Sequence, residues 1–203
     1  MRKIPTLFER IYENHKVVGI TENITEGCEE AFKKGIATVK WDGSCTAIIG
    51  GEFYKRYDAK KGRKPPVGAI PCQPAPDPIT GHHPYWVKVD MHNPADKWFY
   101  EAYCTTAAWT NENHGLPDGT YEAIGLHFNG NPYGMNIDQL VRHGADELKV
   151  RRDFKSIKNF LAENEIEGIV FWLNGEPRCK IKRSDFGFEW GVKMVNDNER
   201  LNR

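Results

Sequence analysis

The chain has 203 residues, 39% of them apolar, with six Trp, eight Tyr and ten Phe, which excludes wholesale disorder and suits one globular domain. Lys and Arg balance Asp and Glu at 28 each, which argues against a protein that coats nucleic acid by bulk charge. No apolar run approaches the roughly 18–20 residues of a membrane span, and the basic start Met1-Arg2-Lys3 has no apolar signal core behind it, so a soluble, cytoplasmic protein is expected. Cys28, Cys45, Cys72, Cys104 and Cys179 are widely spaced and odd in number, so neither a disulfide framework nor a zinc site is expected.

Taken in chain order, Ile36-Ala37-Thr38-Val39 reads as a strand, and Thr46–Ile49 and Phe53-Tyr54 as two more, joined by a Gly50-Gly51 hairpin. The Gly- and Pro-rich stretch 62–84 reads as one long loop. Trp86-Val87-Lys88-Val89 alternates like an edge strand. Pro117-Asp118-Gly119 marks a turn, and Thr120–Leu126 a strand. Asn136–His143 is expected to be a short helix closed by Gly144. Asp153 is placed to cap a second helix with Phe154, Ile157, Phe160 and Leu161 on one face. Ile169–Leu173 reads as a buried strand, turned by Asn174-Gly175 into Arg178–Lys182. The result is an α+β chain dominated by antiparallel strands, without the βα alternation of a Rossmann or TIM fold, a Gly-rich dinucleotide fingerprint or a Walker A sequence.

Chemistry concentrates in a few segments. Lys40 stands in Lys40-Trp41-Asp42-Gly43-Ser44. A lysine is a nucleophile only when neutral, and its ordinary pKa of about 10.4 must be lowered by cations or desolvation. On its own, the segment is also what a plain β-turn with an exposed lysine looks like. Arg56 follows one hairpin later; Glu122 lies in Tyr121-Glu122-Ala123; Glu167 opens Glu167-Gly168-Ile169-Val170; and Lys180 and Lys182 share one face of a strand. Two lysines set against a glutamate suit phosphates and a divalent metal better than a core.

In order, these segments resemble the motif series of the covalent nucleotidyltransferase superfamily of polynucleotide ligases and capping enzymes: Lys-x-Asp-Gly, an arginine strand, a glutamate strand, Glu-Gly-x-Val and Lys-x-Lys. Ser44 favours the ligases. Glu122-Ala123-Ile124-Gly125, then Asn129-Gly130-Asn131-Pro132-Tyr133-Gly134 and His143-Gly144-Ala145, look like the small RNA ligase family that includes the human 5′-to-3′ RNA ligase and its bacterial and phage relatives. The choice of RNA over DNA rests on this likeness.

The resemblance implies one antiparallel-sheet nucleotidyltransferase domain over residues 1–203, an ATP-grasp-like adenylylation unit with its motif core at 36–190. It implies ATP, with Mg²⁺ or Mn²⁺, and RNA repair by joining 5′-phosphate and 3′-hydroxyl ends. No obligate protein partner is implied. Lys40 would carry AMP, with Lys180 and Lys182 on the phosphates. Arg56 and Glu122 would contact the ribose, Glu167 the metal, and Val170 one adenine face. The backbone at Thr38 and Val39 would read the adenine edge. One position departs from the family pattern: Val39, where the human relative has an acidic residue; at the position of Lys180 some relatives carry an apolar residue. With 21 residues after Lys182, no OB-fold is expected there. The basic run Lys55–Lys64 and the loop to Pro84 are then the candidate RNA grip. Another lysyl-nucleotidyltransferase (DNA-sealing or capping), or a non-catalytic nucleotide- or RNA-binding module, is the alternative.

Three other signals are read as structural. Asp185-Phe186-Gly187 spells the kinase metal motif without its companions. His82, His83, His92 and His114 fit no ligand spacing. Trp86, Trp98 and Trp109 are assigned to core packing.

Overall fold

The computed structural model describes residues 3–14, 16–78, 80–110 and 115–191. A hairpin of β1 (Phe8–Glu13) and β2 (Lys16–Ile24) leads to α1 (Glu29–Lys34), then to β3 (Ile36–Lys40), β4 (Ser44–Ile49), β5 (Glu52–Ala59), β6 (Ile70–Pro71) and β7 (His83–Lys88). After α2 (Lys97–Thr110) come β8 (Gly119–Ile124), β9 (Gln139–Arg142), β10 (Glu147–Leu148), α3 (Phe154–Glu163), β11 (Gly168–Leu173) and β12 (Glu176–Lys182).

The strands outside the β1–β2 hairpin form two sheets, ordered β10-β3-β11-β12 and β6-β7-β5-β4-β8-β9, all paired antiparallel. The chain crosses between them within Trp41-Asp42-Gly43, because Lys40 ends β3 in one sheet and Ser44 begins β4 in the other. One core packs Ala37, Ile169, Phe171, Cys179 and Ile181 against α1, α3 and the incoming Leu7 and Phe8. The other packs Ile48, Phe53, Tyr121 and Leu140 against α2. Burying one face of each sheet leaves the alternate residues free to face a cleft between them.

The turn chemistry follows the sequence. Gly50 and Gly51 both take positive φ, as do Asn174 and Gly175, which suits two-residue hairpins. The first hairpin is held by the Asp118 carboxylate, which accepts from the Gly50 and Gly51 N–H groups at 2.7 and 3.0 Å. Asp153 caps α3 by accepting from Ser156 N at 2.8 Å, and Ile157 and Leu161 are wholly buried beneath it.

Four expectations change. Residues 136–143 do not form a helix: Gln139–Arg142 is β9, paired to the edge of β8. Leu140 fills the core under α2, its N–H donates to Thr106 Oγ1 at 2.7 Å, and buried Asp138 accepts from His127 N at 3.0 Å. A sheet edge in need of a partner thus overrides a short local pattern. The 62–84 loop contains β6, which covers β7, so the strand at Trp86 is not the edge. Of the three tryptophans assigned to packing, Trp86 is buried but Trp109 is 58% exposed. Finally, the β1–β2 hairpin, α1 and α2 stand where no element was assigned. His114 lies outside the described residues.

Candidate active site

The cleft takes its two walls from strand register. Across β3, β11 and β12, Lys40, Gly168 and Lys182 lie abreast; one step along the same face, Thr38, Val170 and Lys180 form the next row. Gly168 makes this possible, since a Cβ there would meet the Ile181 carbonyl oxygen at 2.2 Å. On the second sheet Thr46 pairs with Lys55 and Tyr121, so the neighbours Cys45, Arg56 and Glu122 share the opposite, cleft-facing side. The cavity between the walls has a volume of about 180 Å³, and Lys3 and Ile4 also line it. The segment that follows them is tied to β12, with Lys180 N donating to Pro5 O at 3.0 Å and Leu7 N to Lys180 O at 2.7 Å.

Buried Glu167 joins the two lysines of the first row. Its Oε2 accepts from Lys40 Nζ and its Oε1 from Lys182 Nζ. Lys180 has no ion pair among the described residues, and its pKa is pulled down to about 8 by burial first and then by the cationic Lys40 and Lys182. The backbone of Lys182 is fixed by Asp185, which accepts from its N–H at 2.9 Å and from Arg10 at 2.9 Å. The Asp-Phe-Gly segment therefore anchors the end of β12.

The turn after Lys40 is caged. Asp42 N donates to the Tyr133 hydroxyl at 2.6 Å, while its carboxylate accepts from Asn129 Nδ2 and Trp190 Nε1, both at 2.8 Å. Trp41 and Trp190 flank the Tyr133 ring, with centroids 5.2 and 5.4 Å away. Gly43 N donates to Glu122 Oε1 at 3.1 Å, and a Cβ on Gly43 would meet Ala123 O at 2.1 Å. On its other side Glu122 Oε2 pairs with His143 Nε2 at 2.8 Å.

All nine sequence-predicted residues lie in this region. Thr38, Val39, Lys40, Arg56, Glu122, Val170 and Lys180 line the cavity, and Glu167 and Lys182 stand at Lys40. The Val39 N–H is already engaged with Asp146 O at 2.9 Å, and Thr38 Oγ1 accepts from Trp172 Nε1 at 2.9 Å. Arg56 is held by Asp58 at 2.8 Å. Lys55 leaves the site altogether, paired with buried Asp96 beside α2. Trp172, His143, Ile4, Asn129, Tyr133 and Trp190 complete the region without an assigned role. Of these, Trp172 was accessible from strand parity, being two residues from Val170. Trp190 and Ile4 carry no motif, because their placement depends on tertiary packing.

The metal-binding possibilities separate by donor chemistry. Glu167 offers one buried carboxylate beside Lys40 and Lys182, and hard divalent cations bind through one or two carboxylates together with substrate phosphates. Cys45, Glu122 and His143 bring their donor atoms within 4.8 Å of one another. Burial and then Glu122 push the Cys45 thiol up to about 12, however, and Arg56 lies beside it. Within that trio Glu122 and His143 are hydrogen-bonded to each other at 2.8 Å. The His83 ring is occupied by Tyr85 and Gln73.

No protein-family model matches the chain. A zebrafish (Danio rerio) protein named RNA ligase 1 is 32% identical over 156 residues, covering 63% of this chain and 47% of that protein. The chain is similar to RNA ligases. The orangutan (Pongo abelii) RNA ligase 1 is 27% identical over 161 residues, covering 66% of this chain and 49% of its own length. The chain spans about half the length of the curated relatives it matches. Among the described residues no helix is long and apolar enough to cross a membrane.

Proposed function

We propose that this chain carries the adenylylation unit of an ATP-dependent RNA ligase, with a nucleotidyltransferase domain over 1–203, and that Lys40 is its nucleophile. The observation that carries the reading is the row Lys40–Gly168–Lys182, with Glu167 bonded to both lysines. The similarity to RNA ligase 1 supports RNA as the polymer.

In this reading, Val170 and Trp172 offer apolar surface to the adenine, and His143 is the ring that the opposite wall supplies. Glu122, oriented by Gly43 N–H and His143, faces the ribose with Arg56. Lys180 and Lys182 hold the phosphates and neutralise charge as it develops. Lys40 Nζ, having lost one proton to solvent, attacks the α-phosphorus; the Nζ–P bond forms as a second Nζ proton passes to solvent, the bond to the β-phosphate oxygen breaks, and pyrophosphate leaves. The Nζ–P bond then breaks as a 5′-phosphate oxygen of RNA takes the AMP, and Nζ regains a proton. Attack by a 3′-hydroxyl oxygen on that 5′-phosphate forms the phosphodiester and releases AMP. Glu167 would hold a Mg²⁺ or Mn²⁺ ion, which supplies charge neutralisation on the phosphates. Before that, the Glu167 carboxylate keeps Lys40 Nζ and Lys182 Nζ at one end of the cleft.

The test is incubation with α-labelled ATP or GTP and Mg²⁺, followed by denaturation. Label from ATP is expected on the wild-type chain and none on Lys40→Ala. Equal label on both removes the covalent mechanism, and label from GTP alone moves the assignment to capping chemistry. Sealing of nicked DNA in preference to RNA would favour a DNA-joining enzyme.

A further inference from the structure

The basic run of the sequence is divided by the fold. Lys55 is paired with Asp96 and Arg56 with Asp58. The remaining four cations, Lys60, Lys61, Arg63 and Lys64, are all exposed on the turn after β5, and none has an ion pair among the described residues. A chain of zero net charge thus concentrates four uncompensated positive charges within five residues.

This turn is braced and sits at the rim of the cleft. Arg63 N donates to Lys60 O at 2.9 Å. The stem of Lys61 lies against Gly81, where an added Cβ would meet it at 3.2 Å. Next to Gly81, Thr80 accepts from Lys3 Nζ at 3.4 Å, and Lys3 lines the cavity. Lys60, just past the end of β5, stands four positions from the cleft-facing Arg56, about 13 Å at the strand rise. A polymer whose end enters the cleft would pass over this turn within a few nucleotides.

We propose that the Lys60–Lys64 turn is a docking site for the phosphodiester backbone of single-stranded RNA, holding the strand whose end enters the cleft. This rests on the RNA-ligase reading. Solvated cations on a turn neutralise phosphates and release counterions, a contribution blind to base sequence. For single strands the logarithm of the binding constant falls with the logarithm of salt at about 0.7 per phosphate contacted. Four contacts give a slope of about 2.8, a loss of about 50-fold in affinity between 50 and 200 mM salt.

The experiment measures binding of a fluorescent single-stranded RNA of about 12 nucleotides, bearing a 5′-hydroxyl so that no transfer occurs, by anisotropy across that salt range. The wild-type chain is compared with one carrying Lys60→Ser, Lys61→Ser, Arg63→Ser and Lys64→Ser, and with a charge-keeping Lys60→Arg, Lys61→Arg, Arg63→Lys, Lys64→Arg chain. The serine chain should bind weakly and lose about 2.8 from its slope, while the charge-keeping chain retains both affinity and slope. Labelling by ATP should be equal in all three, which establishes that the serine chain is folded. An unchanged slope in the serine chain overturns the proposal, as does loss of binding in the charge-keeping chain. If Lys40 takes no label in the wild type but the slope still changes, the ligase reading fails while the docking site stands.

Discussion

Lys180 lets function be tested through stability. Burial, helped by Lys40 and Lys182, lowers its pKa from 10.5 to about 8. At 1.36 kcal/mol per pH unit, keeping it charged in the folded chain costs about 3 kcal/mol relative to the unfolded chain. The sign follows from which state holds the proton. Below about pH 8 both states are charged and the full cost applies. Between 8 and 10.5 the folded state has released its proton and the unfolded state has not, so stability rises with pH. Above 10.5 both are neutral and the cost is gone. We predict that Lys180→Met, which keeps the stem and removes the charge, stabilises the chain by up to about 3 kcal/mol at pH 7, or about 6–12 °C in Tm for a chain of this size. The gain should shrink above pH 8. Thermal melts of both chains from pH 6 to 10 measure it; equal midpoints at pH 7, or an offset that does not change with pH, would refute the reasoning. In the proposed nucleotide complex the sign reverses, because a phosphate favours the charged lysine. Calorimetry at pH 9 in two buffers of different ionisation enthalpy should then show proton uptake on ATP binding to the wild type and none to Lys180→Met.

Three further predictions address the frame of the site. Trp190→Phe keeps a ring beside Tyr133 but removes the donor to Asp42; it should cost about 1.5–3 kcal/mol and slow labelling of Lys40 in single-turnover assays, and an unchanged rate would detach Trp190 from positioning that turn. Gly168→Ala forces a Cβ against the Ile181 carbonyl and should destabilise the chain by about 1–3 kcal/mol or more in urea titration; wild-type stability would contradict the close approach of β11 and β12. Asp185→Ala removes the acceptor for Lys182 N–H and Arg10 and should cost about 2–3 kcal/mol by the same titration, whereas a change below about 0.5 kcal/mol would mean that Asp185 does not anchor the strand.

How much of this was legible depends on whether the signal was local. The Gly50-Gly51 and Asn174-Gly175 turns, the Asp153 cap and the apolar run of residues 169–173 are properties of a few neighbours, and they describe the structure well. The parity of Lys180 and Lys182 gave their common face before any partner strand was known. Segment 136–143 misleads because its fate is decided by the edge of β8, far away in sequence. The α2 helix is hard to read because Trp98, Phe99 and Tyr103 serve a core whose other half comes from β4, β5 and β8. Splitting the basic run required the positions of Asp96 and Asp58. Trp190 reached the Asp42 turn only through folding.

The lysine row also has a temporal meaning. Its members come from residues 40, 168 and 182, and β3 acquires its β11 neighbour only after more than a hundred intervening residues. On the ribosome, a nascent chain halted before residue 167 would carry Lys40 without Glu167, Lys180 or Lys182 beside it. In the reading proposed above, such an interrupted product would be inert toward nucleotide, and competence would arrive late, as the β11–β12 hairpin closes.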